Sequence, residues 1–180
     1  LIIQNLSSEK LDKVVLQLFE RANDSKICYD NRCEYLLAIM NLSEYVDREC
    51  WLEYYNRAVS VVESSVKFEY DDFEEQFTHP LGFYRVRRGK RGDRAAAALV
   101  AATFAETVEH KQKVKSIVYS LLRFEDQDLL AHALYAIREV IVEDFGFLMA
   151  QGPDIRSLVA HLWVENDGAS YIGDLLVEDP

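Results

Sequence analysis

A chain of 180 residues, 49% of them hydrophobic and 28% charged, has the material of one globular domain or one short repeat array, not of a disordered tail. Its formal net charge of −11 sets the whole-molecule field against general binding of phosphate backbones. Seven glycines and three prolines are few for the tight turns that a sheet protein needs, and no apolar run is long enough to span a bilayer.

In chain order the apolar spacing is helical. Leu11, Val14, Val15, Leu18 and Phe19 follow Ser7-Ser8-Glu9, whose hydroxyls suit a helix start, and Asn23-Asp24-Ser25 ends the run. A second helix is expected from about Asp30 to Glu44, with Leu36, Leu37, Ile39, Met40 and Leu42 apolar. A third is expected from about Asp47 to Lys67, striped by Trp51, Leu52, Tyr55, Ala58, Val59, Val62 and Val66.

Segment 69–94 breaks the pattern. It opens acidic (Glu69, Asp71, Asp72, Glu74, Glu75), passes through Thr78-His79-Pro80-Leu81-Gly82 and turns basic. Stretch 85–94 holds six basic residues, Arg85, Arg87, Arg88, Lys90, Arg91 and Arg94, against Asp93, a net of +5. The remaining residues therefore carry −11 less +5, or −16. A short helix at about 70–77 and an inserted loop over 78–94 are predicted.

Helical spacing returns with an alanine-rich helix, Arg94 to Glu109, and a helix from Gln112 to Phe124. A polar hinge, Glu125-Asp126-Gln127-Asp128, precedes a helix from Leu129 to Glu143. Gly152-Pro153-Asp154 opens the next, Ile155 to Val164, and the turn at 165–168 leads to an apolar run from Tyr171 to Val177.

Two blocks recur. Ala98-Leu99-Val100-Ala101-Ala102 matches Ala133-Leu134-Tyr135-Ala136-Ile137, an offset of 35 residues from 98 to 133. Residues 117–126 match 158–167, an offset of 41 from 117 to 158. Both offsets suit units of two or three helices. The order Ser120-Leu121-Leu122, Asp126, Ala131, Ala133-Leu134-Tyr135-Ala136-Ile137, Gln151-Gly152-Pro153-Asp154-Ile155 and Leu158-Val159 resembles an armadillo repeat. The resemblance to the armadillo/HEAT families covers about residues 94–177, and the N-terminal half is compatible with it through antiparallel helices of fitting length. It implies an all-α fold, a right-handed α-solenoid or superhelix, whose stacked units bind other proteins. The chain reads as a single helical-repeat domain over 1–180, excised from a longer protein.

The resemblance also marks candidate partner-binding residues. Armadillo proteins of the nuclear-import type line their groove with Trp and, four residues later, Asn. The matching positions here are Tyr135 and Glu139, so the aromatic is kept and the amide becomes a carboxylate. That departs from import-signal reading and points to a groove formed by Tyr135, Arg138 and Glu139 that takes an extended segment or a helix carrying basic patches. Trp163, near the end of its helix, is a further contact candidate, although core packing is its plainer role. Arg87, Arg88, Lys90 and Arg91 suit an acidic partner through paired donors, or form a solvated loop. No aromatic residue interleaves 87–94, so base stacking lacks a platform.

No phosphate-binding glycine loop, nucleophile elbow or metal-ligand spacing is present, and the acidic runs do not set two carboxylates in different environments. The expectation is a non-catalytic adaptor with no catalytic, cofactor-binding or metal-binding residues. His79, His110, His132 and His161 stand singly, and an approach of His132 to His161 is the one pairing that stacked helices would permit. Three cysteines, Cys28, Cys33 and Cys50, make an odd number and suit a reducing compartment, cytoplasmic or nuclear. Two other readings remain. One is a nucleic-acid-binding HEAT-like module, including a glycosylase-like enzyme. The other is a membrane-trafficking superhelix that touches anionic lipid through 85–94.

Overall fold

The computed structural model describes residues 7–64, 92–122 and 127–141. Every regular element among them is helical: α1 (Ser8–Asn23), α2 (Tyr29–Leu42), α3 (Trp51–Ser64), α4 (Gly92–Thr103), α5 (Val108–Leu121) and α6 (Gln127–Ala136). Short 3-10 turns lie at Ser43–Tyr45, Arg48–Cys50 and Arg138–Val140.

The carbonyl of Ser7 starts α1 by accepting the backbone N–H groups of Lys10 and Leu11 at 2.9 and 3.0 Å. Leu11, Val15, Phe19 and Ala22 form its buried stripe, as the spacing predicts, while Val14 stays exposed. The stop at Asp24 is chemical. Its carboxylate accepts the Lys26 backbone N–H at 2.9 Å, offering the chain a turn in place of another helical bond. In α2 the face of Arg32, Leu36 and Ile39 is buried. Cys33, Tyr35, Leu37 and Met40 are half-buried around the same core. The second helix ends at Leu42, short of Glu44, and the third starts at Trp51, later than Asp47, because the two 3-10 turns occupy the connection.

The largest departure from the expected elements lies at residues 104–107. One helix from Arg94 to Glu109 was expected, but α4 ends at Thr103 and α5 begins at Val108. Two local causes act there. Phe104 is 1% exposed and makes edge contacts with Trp51 at 5.6 Å and Tyr54 at 5.3 Å, so the core draws it in. Thr107 then accepts the His110 backbone N–H on its side-chain oxygen at 3.2 Å, an N-cap that opens the next helix. The helix expected to reach Glu143 likewise stops at Ala136 and passes into the 3-10 turn. Ile137, Val140 and Ile141 fall there, and β-branched side chains crowd the preceding helical turn. The elements expected in 65–91, including the short helix at 70–77 and most of the loop 78–94, and the helices expected after 141 lie outside the described residues.

The helices pair along the chain: α1 packs on α2, α3 on α4, and α5 on α6. The second members also pack on one another, giving a row α2–α4–α6. The first members are tied side by side. Ser8 bonds Asp47, Tyr54 bonds Asp12, and Ser64 Oγ donates to Asn23 Oδ1 at 3.3 Å, so α1 and α3 run in the same direction. Tyr55 of α3 stacks on His110 of α5, ring centroids 4.2 Å apart, and Lys113 pairs with Glu63 at 2.8 Å.

In the middle of its row, α4 has neighbours on α2, α3, α5 and α6. Residues 95–102 are all buried. Six of those eight side chains are alanine, which lets helix axes approach to the lower end of the usual ~8–10 Å range.

Candidate functional site

The sequence places Tyr135 and Glu139 four residues apart, which on one α-helix gives one face. The backbone alters this. Tyr135 is on the last turn of α6, and Arg138 and Glu139 are on the 3-10 turn that follows. Ile137, at φ −111° and ψ 22°, is the joint between them. Tyr135 is half-buried, with the Arg138 guanidinium over its ring at 4.6 Å. Arg138 also donates to the Tyr135 carbonyl at 3.3 Å, so the pair forms one unit.

Glu139 turns to the other side and pairs with Lys111 of α5. Its side chain is 61% exposed, so the ion pair is open to solvent and adds little stability. Lys115 donates to the Val140 carbonyl at 3.3 Å. Two lysines of α5 therefore clasp the end of the α6 unit. Beside Lys111 lies a notch of about 390 Å³, lined by Val108, Lys111, Gln112, Glu139 and Val140. Val108 is 62% exposed at its mouth. The notch joins an apolar wall to a carboxylate and an ammonium, which suits a peptide side chain with a polar end. Trp163, Arg87, Arg88, Lys90 and Arg91 lie outside the described residues. Of the basic stretch, Arg94 is described, half-buried in the first turn of α4.

Two buried polar clusters escaped the reading of the sequence. In the first, Arg32 of α2 reaches Asp93 at the start of α4, Nη2 to Oδ2 at 3.2 Å, with side chains 9% and 1% exposed. Arg32 Nε also donates to the Ala22 carbonyl of α1 at 2.6 Å. One guanidinium thereby joins three helices. Burial pushes the Asp93 carboxyl above its ordinary value, and Arg32 and the backbone N–H groups of Arg94 and Asp93 draw it part of the way back. A signal for this cluster was present, because Arg32, Leu36 and Ile39 share one face, which puts a cation on the core side of α2.

In the second cluster, Tyr54, fully buried, donates its hydroxyl to Asp12 with Cys50 alongside. Burial and the Asp12 acceptor push the Tyr54 hydroxyl far up. Burial also raises the Cys50 thiol, and the Asp12 charge raises it further, which makes a quiet thiol rather than a nucleophile. No local pattern marks this cluster, since Tyr54 and its acceptor Asp12 are 42 residues apart.

Cys28 is exposed, Cys33 and Cys50 are half-buried, and none of the three forms a disulfide. His132 is exposed and His110 is in the Tyr55 stack, while His161 lies outside the described residues. Among the described residues no group of His, Cys, Asp and Glu is arranged to hold a metal ion, and no helix is long and apolar enough to cross a membrane.

No protein-family profile matches this chain, and neither curated proteins nor solved structures give a match.

Proposed function

We propose that this chain is a right-handed α-solenoid of armadillo/HEAT type that works as a non-catalytic scaffold, holding a segment of another protein on the surface around Tyr135, Arg138 and Glu139. The observation that supports this most is the row α2–α4–α6, each member paired with the helix before it. Stacked hairpins whose contacts stay between near neighbours are the way in which repeat units bury faces that none can bury alone. The offset of 35 residues equates Ala98 with Ala133, Leu99 with Leu134 and Ala102 with Ile137, and all six are buried. Tyr135 and Arg138 then offer an aromatic and a guanidinium at the edge of the row, two side chains favoured in binding hot spots. The compartment that goes with this reading is the cytoplasm or nucleus, where free thiols persist. A partner with basic patches would associate faster at low salt, drawn by the acidic body.

The test is capture from a cell lysate on the immobilised protein, read by mass spectrometry, with two variants beside the wild type. One variant carries Tyr135→Ala with Glu139→Lys; the other has Ser in place of Arg87, Arg88, Lys90 and Arg91. Proteins retained by the wild type and lost with the first variant are the expected result. Retention of nucleic acid or lipid, lost only with the second variant, would overturn the scaffold reading and move the function to the basic stretch.

A further inference from the structure

Four large apolar side chains stand out into solvent among the described residues: Val14, Tyr45, Leu52 and Val108, at 37%, 46%, 54% and 62% exposure. Scattered singly, such residues call for no explanation. Tyr45 and Leu52 are different, because both belong to the connection from α2 to α3 and the first turn of α3. Leu52 shares the open, outward face of α3 and the turn before it with Glu49, Glu53, Asn56, Arg57 and Ser60. It is the one apolar side chain of that face, and it offers an anchoring side chain one apolar contact.

The charge around this apolar contact is one-sided. Glu44, Asp47, Glu49 and Glu53 lie on the connection and the first turn of α3, against Arg48 and Arg57. Both cations are engaged locally. Arg57 is bound to Glu53 at 2.7 and 2.9 Å, and the Arg48 guanidinium covers the Trp51 ring at 5.3 Å. Asp47 accepts from Ser8. Among the described residues no cation pairs with Glu44 or Glu49. Leu52 therefore stands exposed beside the unpaired Glu49, with Tyr45 and Glu44 exposed on the connection that leads to it.

We propose that the α2–α3 connection and the outward face of α3 form a docking surface for a cationic amphipathic segment of a partner protein, which sets an apolar side chain against Leu52 and its Lys or Arg residues against Glu44 and Glu49. Complementary charge selects the partner and speeds its arrival, and the apolar anchor holds it. The inference rests on the scaffold reading and adds a surface separate from Tyr135, Arg138 and Glu139.

The probe is a short fluorescein-labelled peptide of Leu, Ala and Arg with leucines at helical spacing, beside a counterpart with Glu in place of Arg. Each is titrated by fluorescence anisotropy at physiological salt against the full chain. The variants are Leu52→Ser, the pair Glu44→Lys with Glu49→Lys, and Tyr135→Ala. All these side chains except Tyr135 are exposed, and circular dichroism checks that each variant keeps its helix content. The expected result is saturable binding of the basic peptide, weakened at least about tenfold by Leu52→Ser and by the charge reversal, and unchanged by Tyr135→Ala. Equal binding by wild type and Leu52→Ser, equal binding of the acidic peptide, or no binding would each overturn the proposal. The two readings fail separately. Lysate partners lost with the Tyr135 variant while the peptide does not bind sink this surface and leave the scaffold standing.

Discussion

Arg32 and Asp93 make the sharpest test of how the stack is held. The pair lies 3.2 Å apart with both side chains nearly withdrawn from water, and Arg32 also holds the end of α1 through the Ala22 carbonyl. Arg32→Met keeps most of the side-chain volume and removes the charge, leaving Asp93 buried without its cation. Breaking one side of a buried pair costs about 3–5 kcal/mol, a large share of the ~5–15 kcal/mol that holds a typical domain. Replacing both partners, Arg32→Met with Asp93→Leu, removes the desolvation penalty together with the attraction and should cost far less than the two single changes added. The pH dependence carries a sign. Burial already holds the Asp93 carboxyl above its ordinary value of 3.8. Between 3.8 and that higher value the folded state binds the extra proton, so stability falls as pH rises through this window. Losing Arg32 removes the largest influence that lowers the group, so the window widens upward and Arg32→Met loses more stability towards neutral pH than the wild type does. Urea unfolding followed by circular dichroism at a series of pH values measures all of this. A loss below about 1 kcal/mol in Arg32→Met at neutral pH, or a double variant as unstable as the sum of the singles, would refute the clasp.

Two further outcomes follow from the core. Ala98→Leu at a fully buried position of α4 forces its neighbours apart and should lower stability by about 1–3 kcal/mol or more, whereas Val108→Ala at an exposed position should change it by less than about 0.5 kcal/mol; thermal unfolding compares them. Iodoacetamide should label exposed Cys28 well before Cys50, whose thiol burial and Asp12 push up, and Asp12→Asn should quicken Cys50 by removing that charge; peptide mapping over time reads both rates.

Number, type and order of helices were legible in the sequence wherever apolar residues kept a period. Leu11, Val15 and Phe19 predicted the face of α1, and Tyr55, Ala58, Val59 and Val62 that of α3, and these residues are buried. The break between the fourth and fifth helices was expected at 110–111 and lies at 104–107. An alanine run gives no polar side to mark its end, which the buried Phe104 and the Thr107 cap set instead. Tyr135 and Glu139 show the reverse limit. Spacing alone sets them on one face, while the helix ends between them and Glu139 finds Lys111, 28 residues earlier. Contacts at such separations depend on how helices stack, and no local pattern encodes them. Arg32 lies between these cases, because its own helix announces a buried charge but cannot say which element answers it.

The loss of periodicity carries information of its own. A helix at the border of a stack shows water a polar side, as α1 does with Lys13, Gln17 and Glu20. A helix flanked on both sides within a row has no such side, and from Ala95 to Ala102 the sequence of α4 has none. Absence of amphipathic pattern in a helix-length run, combined with small side chains, therefore identifies the middle of the row α2–α4–α6 from the sequence. In the proposed repeat, the offset of 35 residues sets Ala133 to Ile137 against Ala98 to Ala102 of α4. The exposed His132 and Glu139 and the half-buried Tyr135 and Arg138 are the side chains of this region that keep it from being apolar all round. In the proposed solenoid they mark where the 35-residue correspondence lapses, Tyr135 standing where α4 has Val100, and such a departure is what would set a partner surface apart from a stacking one.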